Sequence, residues 1–234
     1  MDARDRFAAA WGTVLKFNAI HADRRLPALV DGESLPWVPS PEPGVERRML
    51  ERAGDEVAIA TSIVRYGPGV RFPSHMHALG EEFLVLSGIF SDQHGAYPQG
   101  TYVRNPSGSS HAPFSDAGCV ILVKLRQMQA DESEPVRDFP SDRRWQRAGG
   151  SAHAVLYRNP RLEVSLLRME PGASLPERET PRGEELFVVE GEIELLDRFA
   201  PALGRWSWRR NAGSRQPALR SPSGALLWIK RGHL

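Results

Sequence analysis

One cysteine, Cys119, stands among the 234 residues. A disulfide within the chain is therefore excluded, and so is a cysteine-based zinc finger or ribbon. A surplus of one charge sign is also missing: 30 Lys and Arg meet 29 Asp and Glu, a formal net charge of +1. Chains that hold nucleic acid or a polybasic membrane contact rely on clustered excess charge, so neither partner is expected. No apolar run exceeds five residues, as at Cys119–Val123, against the roughly 18 that span a bilayer. The opening MDARDRFAAA carries two acids in its first five residues and lacks the basic start and apolar stretch of a secretory leader. A soluble, cytoplasmic protein is the expectation. Ordinary apolar and charged content, 41% and 25%, excludes wholesale disorder, and the length admits one large domain or two small ones.

What is plentiful is turn residues. The 21 Gly and 19 Pro are spread along the chain. Between them lie short runs rich in Val, Ile, Leu and Phe: 57–66, 83–86, 119–125, 162–167, 186–189 and 226–230. Short strands separated by Gly and Pro turns predict an all-β sandwich or barrel. A short helix over Asp5 to Phe17, with Phe7, Ala10, Trp11 and Leu15 on one side, is the one helical expectation. Residues 131–144 are polar, contain Pro135 and Pro140, and read as a linker.

The chain repeats itself. Residues 68–88, PGVRFPSHMHALGEEFLVLSG, and 171–191, PGASLPERETPRGEELFVVEG, share Pro-Gly, a later Pro, Gly-Glu-Glu and a closing Gly at a constant spacing of 103 residues. Flanking strand runs match too. A period this long is not a solenoid unit and predicts a duplicated domain. The division expected is 1–130, a linker 131–144, and 145–234.

The first copy carries metal-ligand chemistry. His75 and His77 flank Met76, and residues two apart on a strand share a face. Glu81 follows after a turn, and His111 lies in NPSGSSHAPF. Three imidazoles and a carboxylate suit Zn, Fe, Ni, Cu or Mn. Glu82 is the rival to Glu81, and strand alternation groups Glu81 with Phe83 and Val85. Tyr66, Arg71, Phe83 and Val85 are the pocket wall expected by alternation. His21, His94, His153 and His233 lack ligand spacing and are expected at the surface or in turns. Cys119, opening CVILVKL, reads as a buried small hydrophobe. Arg205, Arg209, Arg210, Arg215 and Arg220 lie near Trp206 and Trp208, a pattern that suits a strand with an apolar inner face as well as it suits single-stranded nucleic acid.

These segments resemble the cupin motifs. PGVRFPSHMHALGEEFLVLSG is similar to the first, and YPQGTYVRNPSGSSHAPF, with Pro98, Gly100 and His111, to the second. PWVPSPEPGVERRML, GEEFLVLSG, FSDQHGAYPQGTYVRNP and VKLRQM look like the cupin domain of ChrR-type anti-sigma factors and its stand-alone relatives. The resemblance covers roughly residues 30–128, and 145–231 through the repeat. It implies two tandem cupin barrels of double-stranded β-helix, jelly-roll form. It also implies a divalent metal on His75, His77, Glu81 and His111: zinc as in the ChrR cupin, or iron, manganese, nickel or copper as in cupins that handle oxygen. The chain departs from ChrR proper in having no cysteine before Cys119, so the zinc-binding head that grips a sigma factor is not expected.

The second copy has exchanged its ligands. Arg178 falls at the position of His75, Thr180 at that of His77, and Glu184 at that of Glu81. Aligning Pro113 with Pro217 puts Arg215 at the position of His111. Arginine stays protonated and does not ligate metal, so no metal is expected there. A buried Arg needs a partner, and the alternatives are an internal salt bridge or an anion pocket. Two functions follow for the whole. One is a dioxygenase-like metalloenzyme acting on a small molecule. The other is a non-catalytic zinc-binding sensor or regulatory module. A homodimer is expected for a β fold with open strand edges.

Overall fold

A computed structural model describes residues 19–55, 57–197 and 201–234. The helix expected over Asp5 to Phe17 lies outside the described residues, and among these there is no helix. No helix is long and apolar enough to cross a membrane among the described residues.

Two β barrels follow the repeat. The main sheet of the first runs Ala19–Ile20, Val45–Ala53, Ile59–Tyr66, Cys119–Leu125, Glu81–Asp92, Tyr102–Asn105, Val136–Asp138. The second runs Gln146–Ala148, Ser151–Arg158, Glu163–Met169, Ala225–Arg231, Glu184–Gly191, Ser207–Asn211, Ala28–Asp31. The two orders are the same path, and each ends on a strand from outside its own repeat. Ala28–Asp31 pairs Ser207–Asn211, with Val30 opposite Trp208. Val136–Asp138, inside the stretch that reads as a linker, pairs Tyr102–Asn105. The added strand covers an edge of each sheet that would otherwise present unpaired backbone.

The strand Glu81–Asp92 shows how sequence sets the layers. Its odd positions Phe83 and Val85 face the interior of the first barrel, among Val64, Phe90, Val103 and Ile121. Its even positions Leu84 and Leu86 face the second barrel and join Tyr102, Leu122, Phe187, Trp208 and Trp228 in a core between the two. Register against Cys119–Leu125 slips between Val120 and Ile121, where Leu86 is the extra residue. A bulge reverses the alternation, so Phe90 returns to the barrel interior. Gly88 follows at φ +74, and a Cβ there would lie 2.2 Å from the Gly118 carbonyl oxygen. Only glycine fits such a crossing, and Gly191 against Gly224 repeats it at 2.0 Å. Cys119 is buried as expected. Trp208 is 0% exposed in the inter-barrel core and Arg210 is bonded to Glu51 at 2.7 Å. The Trp and Arg alternation is thus strand packing.

The inter-barrel core also encloses charge. Glu82, Lys124, Glu185 and Lys230 are each no more than 2% exposed. They pair crosswise: Lys230 with Glu82, and Lys124 with Glu185 at 2.5 Å. Glu82 further accepts from the Tyr102 hydroxyl at 2.6 Å and Arg104 at 3.0 Å. Glu185 accepts from Trp208 Nε1 at 3.3 Å and His233 Nε2 at 2.9 Å. His233 is thereby a correction: its side chain is 5% exposed, held inside by Glu185, where a surface or turn position was expected.

This network predicts acid sensitivity. Burial pushes the His233 imidazole down from 6.5 to about 4, against the pull of Glu185. Burial alone would raise the Glu82 carboxyl, but Lys230 and Arg104 outweigh it and hold it at about 2, below its ordinary 4.5. The unfolded chain therefore binds more protons than the folded one at His233 between about pH 6.5 and 4, and at Glu82 between about 4.5 and 2. Stability present at neutral pH is lost on acidification in those two windows, by about 3 kcal/mol in each. Urea unfolding at pH 7, 5 and 4 should show the first loss, and His233→Asn should flatten it. An equal unfolding free energy for the parent chain across that window would contradict the assignment.

Candidate metal centre

Two short strands at the mouth of the first barrel bring the histidines together. His75–Met76 pairs Ser110–His111 with His75 directly opposite His111. The next residue but one, His77, stays in line through its backbone N–H on the Ser109 carbonyl at 2.9 Å. The three rings stand at centroid distances of 4.9 to 5.1 Å, each edge-on to the others. Their ligand atoms lie within 4.8 Å of one another. His77 Nε2 and His111 Nε2 are 2.9 Å apart. Glu81 Oε2 is 3.6 Å from the first and 3.5 Å from the second. Donors about 2.0–2.2 Å from one ion sit that far apart at angles of roughly 90–120°. The donor set and its spacing fit a divalent transition metal.

Three of the four donors are aimed by a neighbour. Asp92 Oδ2 meets His111 Nδ1 at 3.1 Å, and the Pro73 carbonyl meets His75 Nδ1 at 3.0 Å. With Nδ1 engaged, the tautomer leaves Nε2 as the free lone pair. Asn105 Nδ2 donates to Glu81 Oε2 at 2.9 Å. Asp92 itself is fixed by the Tyr97 hydroxyl at 3.0 Å and the His94 N–H at 2.8 Å. Burial would raise its carboxyl, but those bonds and His111 bring it below its ordinary value. Burial also holds the His77 imidazole down, against Glu81. The bulge at Leu86 is what turns Asp92 toward His111. Glu82 points the other way, into the charge network between the barrels, which resolves the rivalry with Glu81.

Next to this cluster is a cavity of about 310 Å³ walled by Val64, Tyr66, Phe72, Val123 and Leu125, with Arg47 and Arg126 also lining it. Tyr66 lines it as expected. Burial raises its phenol well above the ordinary value, so its hydroxyl stays protonated. Three expected wall residues do not line it. Phe83 and Val85, each 1% exposed, are on the right face but two and four residues deeper, packed against Phe90 and Tyr97 beneath the site. Arg71 lies outside, paired with Asp116 at 2.8 Å over the Phe114 ring. Alternation reports a face and says nothing of depth, which accounts for Phe83 and Val85, while Arg71 turns outward to Asp116. Asp92, Asn105, Arg47 and Arg126 were not anticipated. Asn105 stands opposite Glu81 in register, a position that needs the strand pairing to be known.

In the second barrel, Arg178 pairs with Glu184 at 2.5 Å, the internal salt bridge. Arg215 is a correction. Gln216 is opposite Arg178, as His111 is opposite His75, while Arg215 is opposite Glu179. Arg215 is exposed and paired with Glu177 at its Nε, 2.6 Å away. The proline alignment is one residue out, because Ala112 separates His111 from Pro113 whereas Pro217 follows Gln216 directly. Gln216 donates to Thr180 Oγ1 at 2.8 Å, so two neutral groups occupy the places of His111 and His77. Glu184 is met on its other oxygen by Arg231 Nε at 2.9 Å.

The profile of the ChrR Cupin-like domain matches residues 26–129. No curated protein matches the chain in sequence. Among solved structures, a candidate dioxygenase of Nostoc punctiforme is similar at TM-score 0.72 and 16% identity, over 88% of this chain and 82% of that one. Protein Ylba of E. coli is similar at 0.70 and 14%, over 100% and 98%. Salicylate 1,2-dioxygenase of Pseudaminobacter salicylatoxidans is similar at 0.60 and 12%, over 89% and 85%. At these identities the likeness is one of fold.

Proposed function

Since residues 26–129 are a ChrR cupin-like domain in a two-barrel cupin fold, we propose that the chain is a metal-dependent, dioxygenase-like enzyme acting on a small molecule. One observation supports this reading above the rest: the histidine cluster opens on a cavity of about 310 Å³ with Val64, Tyr66, Phe72, Val123 and Leu125 in its wall, a size that suits a small ligand. His75, His77, His111 and Glu81 would hold the ion. When bound, such a metal activates dioxygen or polarises a carbonyl as a Lewis acid. The chain's own residues bind and orient. Asp92 and Asn105 fix the ligand geometry, the aliphatic wall excludes water, and the Tyr66 hydroxyl is a neutral donor beside the substrate. Arg126 brings a positive charge to the same cavity.

A second reading has its own support. Three imidazoles and a carboxylate are enough to close a tetrahedral zinc shell, which is what a sensor or regulatory module would use. Oxygen uptake by the iron-loaded chain separates the two. A panel of small diketones and aromatic acids should include a class that triggers oxygen consumption, and zinc loading should silence it. Tight zinc binding with no uptake by the iron form across the panel would overturn the enzyme reading.

A further inference from the structure

The second barrel lost its histidines but kept a cavity. About 350 Å³ is walled by Leu167, Leu175, Pro176 and Ile229, with Arg178 and Arg231 on the same surface. Leu167, Leu175, Arg178, Ile229 and Arg231 are the counterparts of Val64, Phe72, His75, Val123 and Leu125 around the first barrel's cavity. Where the metal donors would be, Gln216 and Thr180 bond to each other, 0% and 5% exposed. The deep end is thus closed, and the open part is a slot with apolar walls and guanidinium groups.

The charges there do not balance. Glu184, 0% exposed, is bridged by Arg178 on one oxygen and Arg231 on the other. Two cations share one anion. Arg209 lies close behind, its guanidinium bonded to the neutral Gln216 Oε1 at 2.9 Å and answered by the Asp197 carboxylate on its far side. His153 also lines the cavity, but it faces Glu163 at 3.4 Å, and Glu163 is already held by Arg158. That pair adds no negative charge for the arginines. Donors are left over as well. Arg178 Nε is buried with no acceptor, and Arg231 spends only its Nε on Glu184, with its side chain 30% exposed. A buried donor without an acceptor is unfavourable, and a surplus cation beside apolar walls favours an anion.

We propose that the cavity of the second barrel binds a small monocarboxylate with a compact apolar body, its carboxylate on Arg178 and Arg231 and its body against Leu167, Leu175 and Ile229. The metal is not involved, so this site stands or falls apart from the first barrel's chemistry. The apolar wall is why a carboxylic acid is preferred over inorganic phosphate.

Benzoate titrated calorimetrically into the full chain tests it. The parent chain should bind benzoate and bind inorganic phosphate at least tenfold more weakly. Arg178→Met and Arg231→Met should each weaken benzoate at least tenfold. Glu184→Gln, which frees both guanidinium groups, should tighten it severalfold, a gain that a merely damaged fold would not produce. Benzoate binding unchanged in both arginine variants, no binding by the parent chain at millimolar benzoate, or phosphate binding as tight as benzoate would each overturn the proposal.

Discussion

Replacing His75 and His111 together by alanine is expected to abolish metal binding by the chain. The two residues face each other across paired strands, and together they supply two of the three imidazoles in the cluster. The pair left, His77 and Glu81, offers two donors on one side of the ion, too few for a site that needs four. The fold should tolerate the change. His75 is only half-buried, and Asp92, relieved of His111, keeps its bonds from the Tyr97 hydroxyl and the His94 N–H. No carboxylate is stranded. Metal analysis after loading and desalting reads the result directly. Thermal unfolding gives a second reading: a ligand at a hundredfold its dissociation constant stabilises by about 2.7 kcal/mol, so added zinc should raise the melting temperature of the parent chain and not of the variant. Equal metal content in the two proteins would sink the ligand assignment.

Glu82→Leu is expected to cost about 3–5 kcal/mol of stability, the penalty for removing one member of a buried ion pair. That is a large share of the roughly 5–15 kcal/mol that holds a typical domain. Lys230, 0% exposed, would lose its carboxylate. Arg104 would keep Glu132 and the Tyr157 ring face 3.8 Å away, so most of the loss belongs to the lysine. Removing both charges should therefore restore much of it: the double variant Glu82→Leu with Lys230→Met should unfold within about 2 kcal/mol of the parent, since an apolar replacement of a buried pair is often neutral. Urea titration of the two single variants and the double closes the cycle. A Glu82→Leu loss under 1 kcal/mol would contradict the account of the interface. The same variant should retain its metal, because Glu82 and Glu81 point to opposite sides of the sheet.

The repeat in the sequence carries the two-barrel architecture, and the cupin resemblance carries the choice of Glu81 over Glu82. Alternation adds only the grouping of Glu81 with Phe83 and Val85, because a strand's period of two is local. What was not legible is whatever depends on a distant partner. Ala28–Asp31 and Val136–Asp138 are too short to stand out as strands, and their partners lie in Ser207–Asn211 and Tyr102–Asn105, far from them in the chain or outside the linker, so neither pairing leaves a trace in the sequence. Lys124 and Lys230 sit near the ends of apolar runs and read as strand termini, yet each is a buried counter-charge for the opposite barrel. Arg215 was misplaced by one position, which on a strand turns a side chain from the pocket to the solvent. Asp92 reaches His111 only because a bulge reverses the alternation before it, and a bulge is a property of two strands together.

Metal stoichiometry of the intact chain tests the central claim most directly, that the first barrel is a metal centre and the second is not. After loading with a divalent transition metal and removal of excess, one equivalent per chain is predicted. No retained metal, or two equivalents per chain, would contradict it.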